Sequence, residues 1–238
     1  MATIKRWLQR ISLVFAFSAI TLTFAAVSYK LYKAQDPYYN LEKELVSSDN
    51  TICKVLFSPD DKVKDMLIGL INNEKKSIMC AIYTMTERDI TKAFINAKKR
   101  GVSLEFVVDR SYASDRYSRV AEIANHHIPV WVFQAGTDER ITGLMHNKFC
   151  VFKENVQGKS LVWTGSYNFT KRASTANQEN ALVLDAPTIV QCFTEQFAVL
   201  KNRSLLISGI TGTNYTRGGC GTESSWLDLV WKLLNEKK

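Results

Sequence analysis

The chain has 238 residues, 46% of them apolar and 23% charged, which excludes a disordered polypeptide and leaves room for one sizeable domain with appendages rather than two full domains. Its formal charge of +8 suggests a polyanionic partner, yet five of its 31 basic residues and none of its 23 acidic ones lie in residues 1–33, so the remainder carries only +3. Global charge therefore says little about such a partner, and only local clustering can.

Residues 1–33 hold an uncharged apolar run from Ile11 to Val27, bracketed by Lys5, Arg6 and Arg10 before it and Lys30 and Lys33 after it. The run is slightly short of the roughly 20 residues that span a bilayer and longer than the 7 to 15 of a signal-peptide core. Small residues at Ala25, Ala26 and Ser28 suit a signal peptidase, whereas Leu31 and Tyr32 suit an uncleaved anchor with an interfacial aromatic. The expectation is a membrane anchor or a signal peptide, giving a membrane-associated protein if retained and a secreted or periplasmic one if cleaved. Residues 34–50 are polar and read as a linker or a first short helix.

From Cys53 the pattern alternates. Cys53–Phe57 reads as a strand, and Ser58-Pro59-Asp60-Asp61 as a helix start with Pro at the first helical position. Val63, Met66, Leu67, Leu70 and Ile71 then recur at helical spacing. Ser77–Tyr83 is a second strand. Thr86 and Asp89 open a helix with Ile90, Ala93, Phe94 and Ala97 inward and Gly101 as its stop, and Val102–Asp109 is a third strand. A polar helix over Ser114–Asn125, a strand at Pro129–Phe133, a strand at Ala181–Leu184 and a helix over Pro187–Asn202, with Ile189, Phe193, Phe197 and Leu200 on one face, complete the rhythm. Strands covered by helices follow from it. No internal repeat is present. The domain is placed at 51–205, and 206–238 reads as a loop followed by an amphipathic helix around Trp226 and Trp231, either packed on the domain or facing a membrane or partner.

Five cysteines, Cys53, Cys80, Cys150, Cys192 and Cys220, have no zinc-like spacing, so no metal site is indicated. The first three lie in apolar runs and read as reduced core thiols, while Cys220 in its glycine loop is the one candidate for a bridge or reactive thiol. His126 and His127 sit at a strand entrance and read as structural.

The most informative stretch is Met145-His146-Asn147-Lys148-Phe149-Cys150-Val151-Phe152, followed by Thr164-Gly165-Ser166-Tyr167-Asn168-Phe169. In an extended strand His146 and Lys148 project from one face and Asn147 and Phe149 from the other, so a nucleophile and a cation share one pocket. Gly165 permits a tight turn after an apolar strand, Leu161–Thr164, and is followed by the Ser166 hydroxyl and the Asn168 carboxamide. All four groups can address one tetrahedral anion. Lys171 and Arg172, with Tyr167 and Phe169 interleaved, fit a phosphodiester groove or a solvated loop.

This arrangement resembles the phospholipase D superfamily, whose signature is H-x-K, four residues, D, then G-S-x-x-N after a hairpin. The likeness extends through Ile82-Tyr83-Thr84-Met85-Thr86, Ala97–Val102, Val107-Val108-Asp109-Arg110 and Asn177-Gln178-Glu179-Asn180, over roughly residues 53–203. It is similar to the single-motif branch, which holds small bacterial endonucleases and mitochondrial Zucchini-type enzymes. The resemblance implies an α/β fold (α+β in some schemes) with a mixed β-sheet flanked by helices on both faces. It implies a phosphodiesterase without cofactors, in which His146 of two subunits serve as nucleophile and as acid and base. Lys148, Ser166 and Asn168 would hold phosphate oxygens, Lys171 would assist in binding, and Glu179 would fix the histidine tautomer, with Asn177 assisting. The scheme needs no metal. One position departs: Lys153 stands where the signature has aspartate, and Glu154 in a shifted register is the expected substitute. Three expectations follow: a nuclease on DNA or RNA, a phospholipid hydrolase or transferase acting on cardiolipin or phosphatidyl groups, and an inactive phosphate-binding scaffold.

Overall fold

The computed structural model describes residues 41–134 and 143–207. The leader, Cys220 and the C-terminal helix expected from the sequence lie outside the described residues. Eight strands form one mixed sheet: β1 (Cys53–Ser58), β2 (Ser77–Ile82), β3 (Ser103–Val108), β4 (Val130–Phe133), β5 (Lys148–Phe152), β6 (Leu161–Gly165), β7 (Glu179–Leu184) and β8 (Ser204–Leu206). Their spatial order is β1-β7-β6-β5-β2-β3-β4-β8. Strands β2, β3 and β4 run parallel, and all other neighbours are antiparallel.

The helices are α1 (Leu41–Leu45), α2 (Val63–Asn73), α3 (Arg88–Lys99), α4 (Arg110–Ala113), α5 (Val120–Asn125), α6 (Lys171–Thr175) and α7 (Pro187–Asn202). Helix α2 buries Val63, Met66, Leu67, Leu70 and Ile71, and α3 buries Ile90, Ala93, Phe94 and Ala97, as their spacing requires. Gly101, at φ +92°, ends α3 with a conformation that costs a side chain dearly. Phe94 of α3 meets the Phe106 ring edge-on at 4.8 Å, on the sheet face that carries the fully buried Cys80, Cys150 and Trp163. The opposite face carries Ala81, Val107, Phe149, Val151 and Val162 under α7, which contributes Val190, Phe197 and Leu200. The sheet is thus covered on both faces.

Several local expectations change. Helix α2 starts at Val63 rather than near Pro59, because Asp61 folds back on β1: its Oδ2 accepts from Phe57 N at 2.7 Å and its own amide donates to Phe57 O at 2.7 Å. The Ser58–Pro59 peptide is cis and lies in that turn. Of the single helix expected over Ser114–Asn125 only Val120–Asn125 is helical, as α5; the residues before it form a turn that follows the short α4. Ile189 faces outward and Val190 takes its place in the core. Cys53 is exposed on the edge strand rather than buried, while Cys80 and Cys150 sit directly opposite one another across β2 and β5. Helix α1 buries Leu41 and Leu45 against α2, and β8 with the buried Ile207 extends the sheet, so packed structure continues past residues 51 and 205. Among the described residues no helix is long and apolar enough to cross a membrane.

Candidate active site

Register places Lys148, Gly165 and Glu179 at one end of the sheet, with His146, Ser166 and Asn168 close to them in sequence. Ile82 at the C-terminus of β2 pairs with Val108 on one side and Lys148 on the other. Gly165 ends β6 one step past the Phe149–Thr164 pair, and Glu179 begins β7 opposite Ser58, the last residue of β1. Carboxyl ends of parallel strands are where open α/β sheets place their ligands.

His146 precedes the ladder, since β5 begins only at Lys148. The strand alternation expected for His146 and Lys148 is therefore not what joins them. They meet because the Lys148 ammonium donates to the His146 carbonyl at 2.7 Å and stands 3.1 Å from its Nδ1. His146 is exposed, whereas Lys148 is only 6% exposed. Burial pulls the Lys148 ammonium below its ordinary value, and the negative charge of Glu179 opposes that shift. A cation held under an open imidazole is what an anionic phosphorus centre needs.

Tyr83, the residue after β2, closes one side. Its ring meets the His146 imidazole edge-on with centroids 4.3 Å apart, and the Lys148 ammonium lies 5.1 Å from its centre. On the other side the Gly165–Phe169 turn is fastened twice. The Ser166 amide donates to Asn180 O at 3.1 Å, and the Asn180 amide donates to Ser166 Oγ at 3.0 Å. Phe169 N donates to Thr84 O at 3.0 Å, and Phe169 O accepts from the amides of Thr86 and Glu87. A Cβ at Gly165 would fall 2.2 Å from Asn180 O, at a backbone φ of +152°, so only glycine fits. Ser166 therefore keeps its hydroxyl proton to offer while its oxygen accepts from the backbone. Asn168 is half-buried, and its Oδ1 is shielded from solvent with no hydrogen bond among the described residues.

Glu179 accepts from Asn177 Nδ2 at 3.0 Å, and Asn177 O accepts from the buried Ser58 hydroxyl at 3.3 Å. The histidine-fixing role expected of Glu179 is not seen within one chain, where Lys148 occupies the Nδ1 side of His146. Lys171 and Arg172 stand exposed on α6, at the rim rather than in the hydrogen-bonded set. His126 caps locally, with Nδ1 2.9 Å from Glu122 O. Among the described residues no group of His, Cys, Asp or Glu is arranged to hold a metal ion.

At the far end of β5 the expected substitute for the signature aspartate is corrected. Lys153 is exposed, and the Glu154 side chain does not replace it. The buried carboxylate there is Glu74, just past α2. Its Oε1 accepts from the amides of Lys76 (2.9 Å), Ser77 (3.0 Å) and Glu154 (2.8 Å), and its Oε2 accepts from Asn155 Nδ2 at 3.1 Å. Its backbone distance from the motif, about 80 residues, hid it from a sequence reading. Tyr83 and Asn180, which touch His146 and Ser166, were likewise not singled out. Both lie in segments that carry the family likeness, Tyr83 after an apolar strand and Asn180 in the Asn-Gln-Glu-Asn run.

A histidine, a buried lysine, a serine and an asparagine gathered at the carboxyl end of a mixed sheet define a phosphodiester-handling α/β protein. A family model described as "Cardiolipin synthase, PLD-like domain" matches residues 67–201. The phospholipase D of Rickettsia prowazekii is 29% identical over 177 residues, covering 74% of this chain and 79% of that protein. The mitochondrial cardiolipin hydrolase of Xenopus tropicalis is 26% identical, covering 61% and 64%. The crystal structure of Nuc, a phospholipase D family member from Salmonella typhimurium, shares 31% identity at a TM-score of 0.58, covering 67% of this chain and 99% of that one. The chain belongs to the phospholipase D superfamily, in its single-motif branch, and is a phosphodiesterase of that superfamily.

Proposed function

We propose that this phosphodiesterase cleaves nucleic acid, DNA or RNA, through a phosphohistidine on His146 in a homodimeric site. The observation that carries the chemistry is the open imidazole of His146 poised 3.1 Å from the buried Lys148 ammonium. A ring nitrogen attacks phosphorus, the P–O bond to the leaving group breaks, and the departing oxygen takes a proton from the protonated His146 of the partner subunit. Water, deprotonated by that second imidazole, then attacks phosphorus and breaks the P–N bond. With Nδ1 on the Lys148 side, Nε2 is the attacking nitrogen. The ring proton must then sit on Nδ1, and Lys148 turns its donors to the non-bridging oxygens alongside Ser166 and Asn168. Glu179, Asn177 and Lys171 support orientation and binding.

A partner subunit is supported by an exposed apolar strip beside the site. Val55 (44% exposed) and Phe57 (57%) project from the edge strand β1 on the α7 face, level with Leu182 and Asn180 of β7. An apolar strip of this kind beside a half-built site is what a second copy would cover. Nucleic acid is supported by the exposed cations at this end of the sheet, Arg110 and Arg116 after β3 and Lys171 and Arg172 after β6. The Arg116 guanidinium lies 4.4 Å from the centre of the exposed Tyr117 ring, a surface on which bases stack.

A phospholipid substrate is the second reading, favoured by the relatives named phospholipase D and cardiolipin hydrolase, by exposed Leu144 two residues before His146, and by the apolar run Ile11–Val27. That run as membrane anchor or signal peptide belongs with either reading.

The test is incubation of the purified full chain, with chelator present, on single-stranded DNA, RNA and cardiolipin vesicles beside His146→Ala. Cleavage of nucleic acid by the wild type alone is expected. Cleavage of vesicles alone transfers the site to the second reading, equal turnover by His146→Ala would overturn the chemistry altogether, and turnover by neither protein leaves the phosphate-binding scaffold.

A further inference from the structure

Because His146 lies outside the β5 ladder, the sheet does not fix it, and some other group must hold the chain that carries it. The Asp109 carboxylate does so. Asp109 ends the run after β3 and is 2% exposed. Its Oδ2 accepts from the Met145 amide at 2.8 Å, a buried bond 36 residues apart in sequence and one residue from His146. Its Oδ1 caps α4, accepting from the Ser111 amide at 2.9 Å and from the Ser111 hydroxyl. Met145 itself is buried in the α7-side core, so the residue before His146 is held by packing and by this one charge-assisted bond.

Tyr83 completes the support. Its ring touches His146 on one side and meets Tyr112 of α4 edge-on at 4.6 Å on the other. Burial pushes the Tyr83 phenol up, with Tyr112 and Asp109 adding to the shift, so the ring packed on His146 stays neutral. One carboxylate thus fixes both the backbone that presents the imidazole and the helix that backs the ring packed on it.

We infer that Asp109 is a positioning residue of the phosphoryl-transfer site, setting the His146 imidazole for attack by anchoring the Met145 amide. The inference rests on the phosphohistidine reading. It separates from a merely structural role because the two carboxylate oxygens hold different things. Asparagine at 109 keeps one acceptor, which can still cap Ser111, and sets an N–H against the Met145 N–H. A misplacement of about 1 Å costs up to roughly 100-fold in rate.

The experiment compares Asp109→Asn, Ser111→Ala and His146→Ala on bis(para-nitrophenyl) phosphate, with kcat, KM and melting temperature measured for each full-length chain. Asp109→Asn should lower kcat by roughly 10- to 100-fold and leave KM within about twofold, a loss confined to the transition state. Ser111→Ala, which removes a hydroxyl from the cap but leaves the Met145 bond, should lower melting temperature with kcat within about twofold. If Asp109→Asn does not fold, Asp109→Ser decides, since it can cap Ser111 but is too short to reach Met145. Wild-type kcat in the folded Asp109 variant, or parallel loss of kcat and melting temperature in both Asp109 and Ser111 variants, overturns the inference. If His146→Ala turns over like wild type, the parent reading fails; if His146→Ala is silent while Asp109→Asn is unimpaired, only the Asp109 inference fails.

Discussion

Lys148 is the residue whose environment most constrains the chemistry. A buried ammonium loses its proton below the ordinary 10.5, so it discharges sooner in the folded chain than in the unfolded one. Below the lowered value both states carry the proton and folding bears the full cost of burying the charge. Between that value and 10.5 only the unfolded state keeps it, so the cost fades as pH rises. Activity moves the opposite way, because the neutral amine no longer neutralises the pentacoordinate phosphorus. The alkaline limb of kcat should therefore fall below the ordinary lysine range. Glu179→Gln removes the charge that holds the Lys148 proton on, so the limb should move to lower pH, whereas Lys148→Arg should abolish it. An alkaline limb unmoved in Glu179→Gln would show that Lys148 does not set it.

At the scale of elements, the β5–β6 hairpin is anchored at both ends by groups from elsewhere in the chain. At the site end Ser166 and Asn180 exchange hydrogen bonds, and Gly165 is forced by their closeness. At the far end Glu74 gathers three amides and the Asn155 carboxamide. Glu74→Ala strands these buried donors and should destabilise the fold by roughly 2–4 kcal/mol, read as a lower denaturant midpoint at unchanged slope. Lys153→Asp should change stability by less than about 0.5 kcal/mol, because Lys153 is solvent-exposed and the carboxylate that serves this end is already present. A gain of activity in Lys153→Asp would contradict that assignment. The same contrast shows what the sequence makes legible. Helices α2, α3 and α7 were readable because 3.6-residue spacing is local, and His146, Lys148, Gly165, Ser166 and Asn168 were readable because their spacing is a motif. Glu74 and Asp109 were not, since their contacts, 80 and 36 residues away, exist only once the sheet has assembled. The start of α2 was misplaced for a related reason, Asp61 turning back to β1 rather than capping forward.

At the scale of the whole molecule, the proposed mechanism draws a nucleophile, its cation and two phosphate donors from one chain, but a single histidine cannot be attacking base and protonated acid at once. In the proposed mechanism a second copy provides the other imidazole. If the proposed dimer covers the exposed apolar strip of β1, Phe57→Glu places a charge in it and should give a monomer in sedimentation where the wild type sediments as a dimer, with loss of turnover. A fully active monomer would contradict the shared site. The most direct measurement of the central claim is a rapid acid or alkaline quench of the wild-type chain with excess diester, followed by peptide mass spectrometry. A substrate-derived phosphoryl group on the His146 peptide, forming and decaying within one turnover and missing from His146→Ala, is the predicted result. Turnover with that peptide unmodified at every time, or an adduct on another residue, would contradict it.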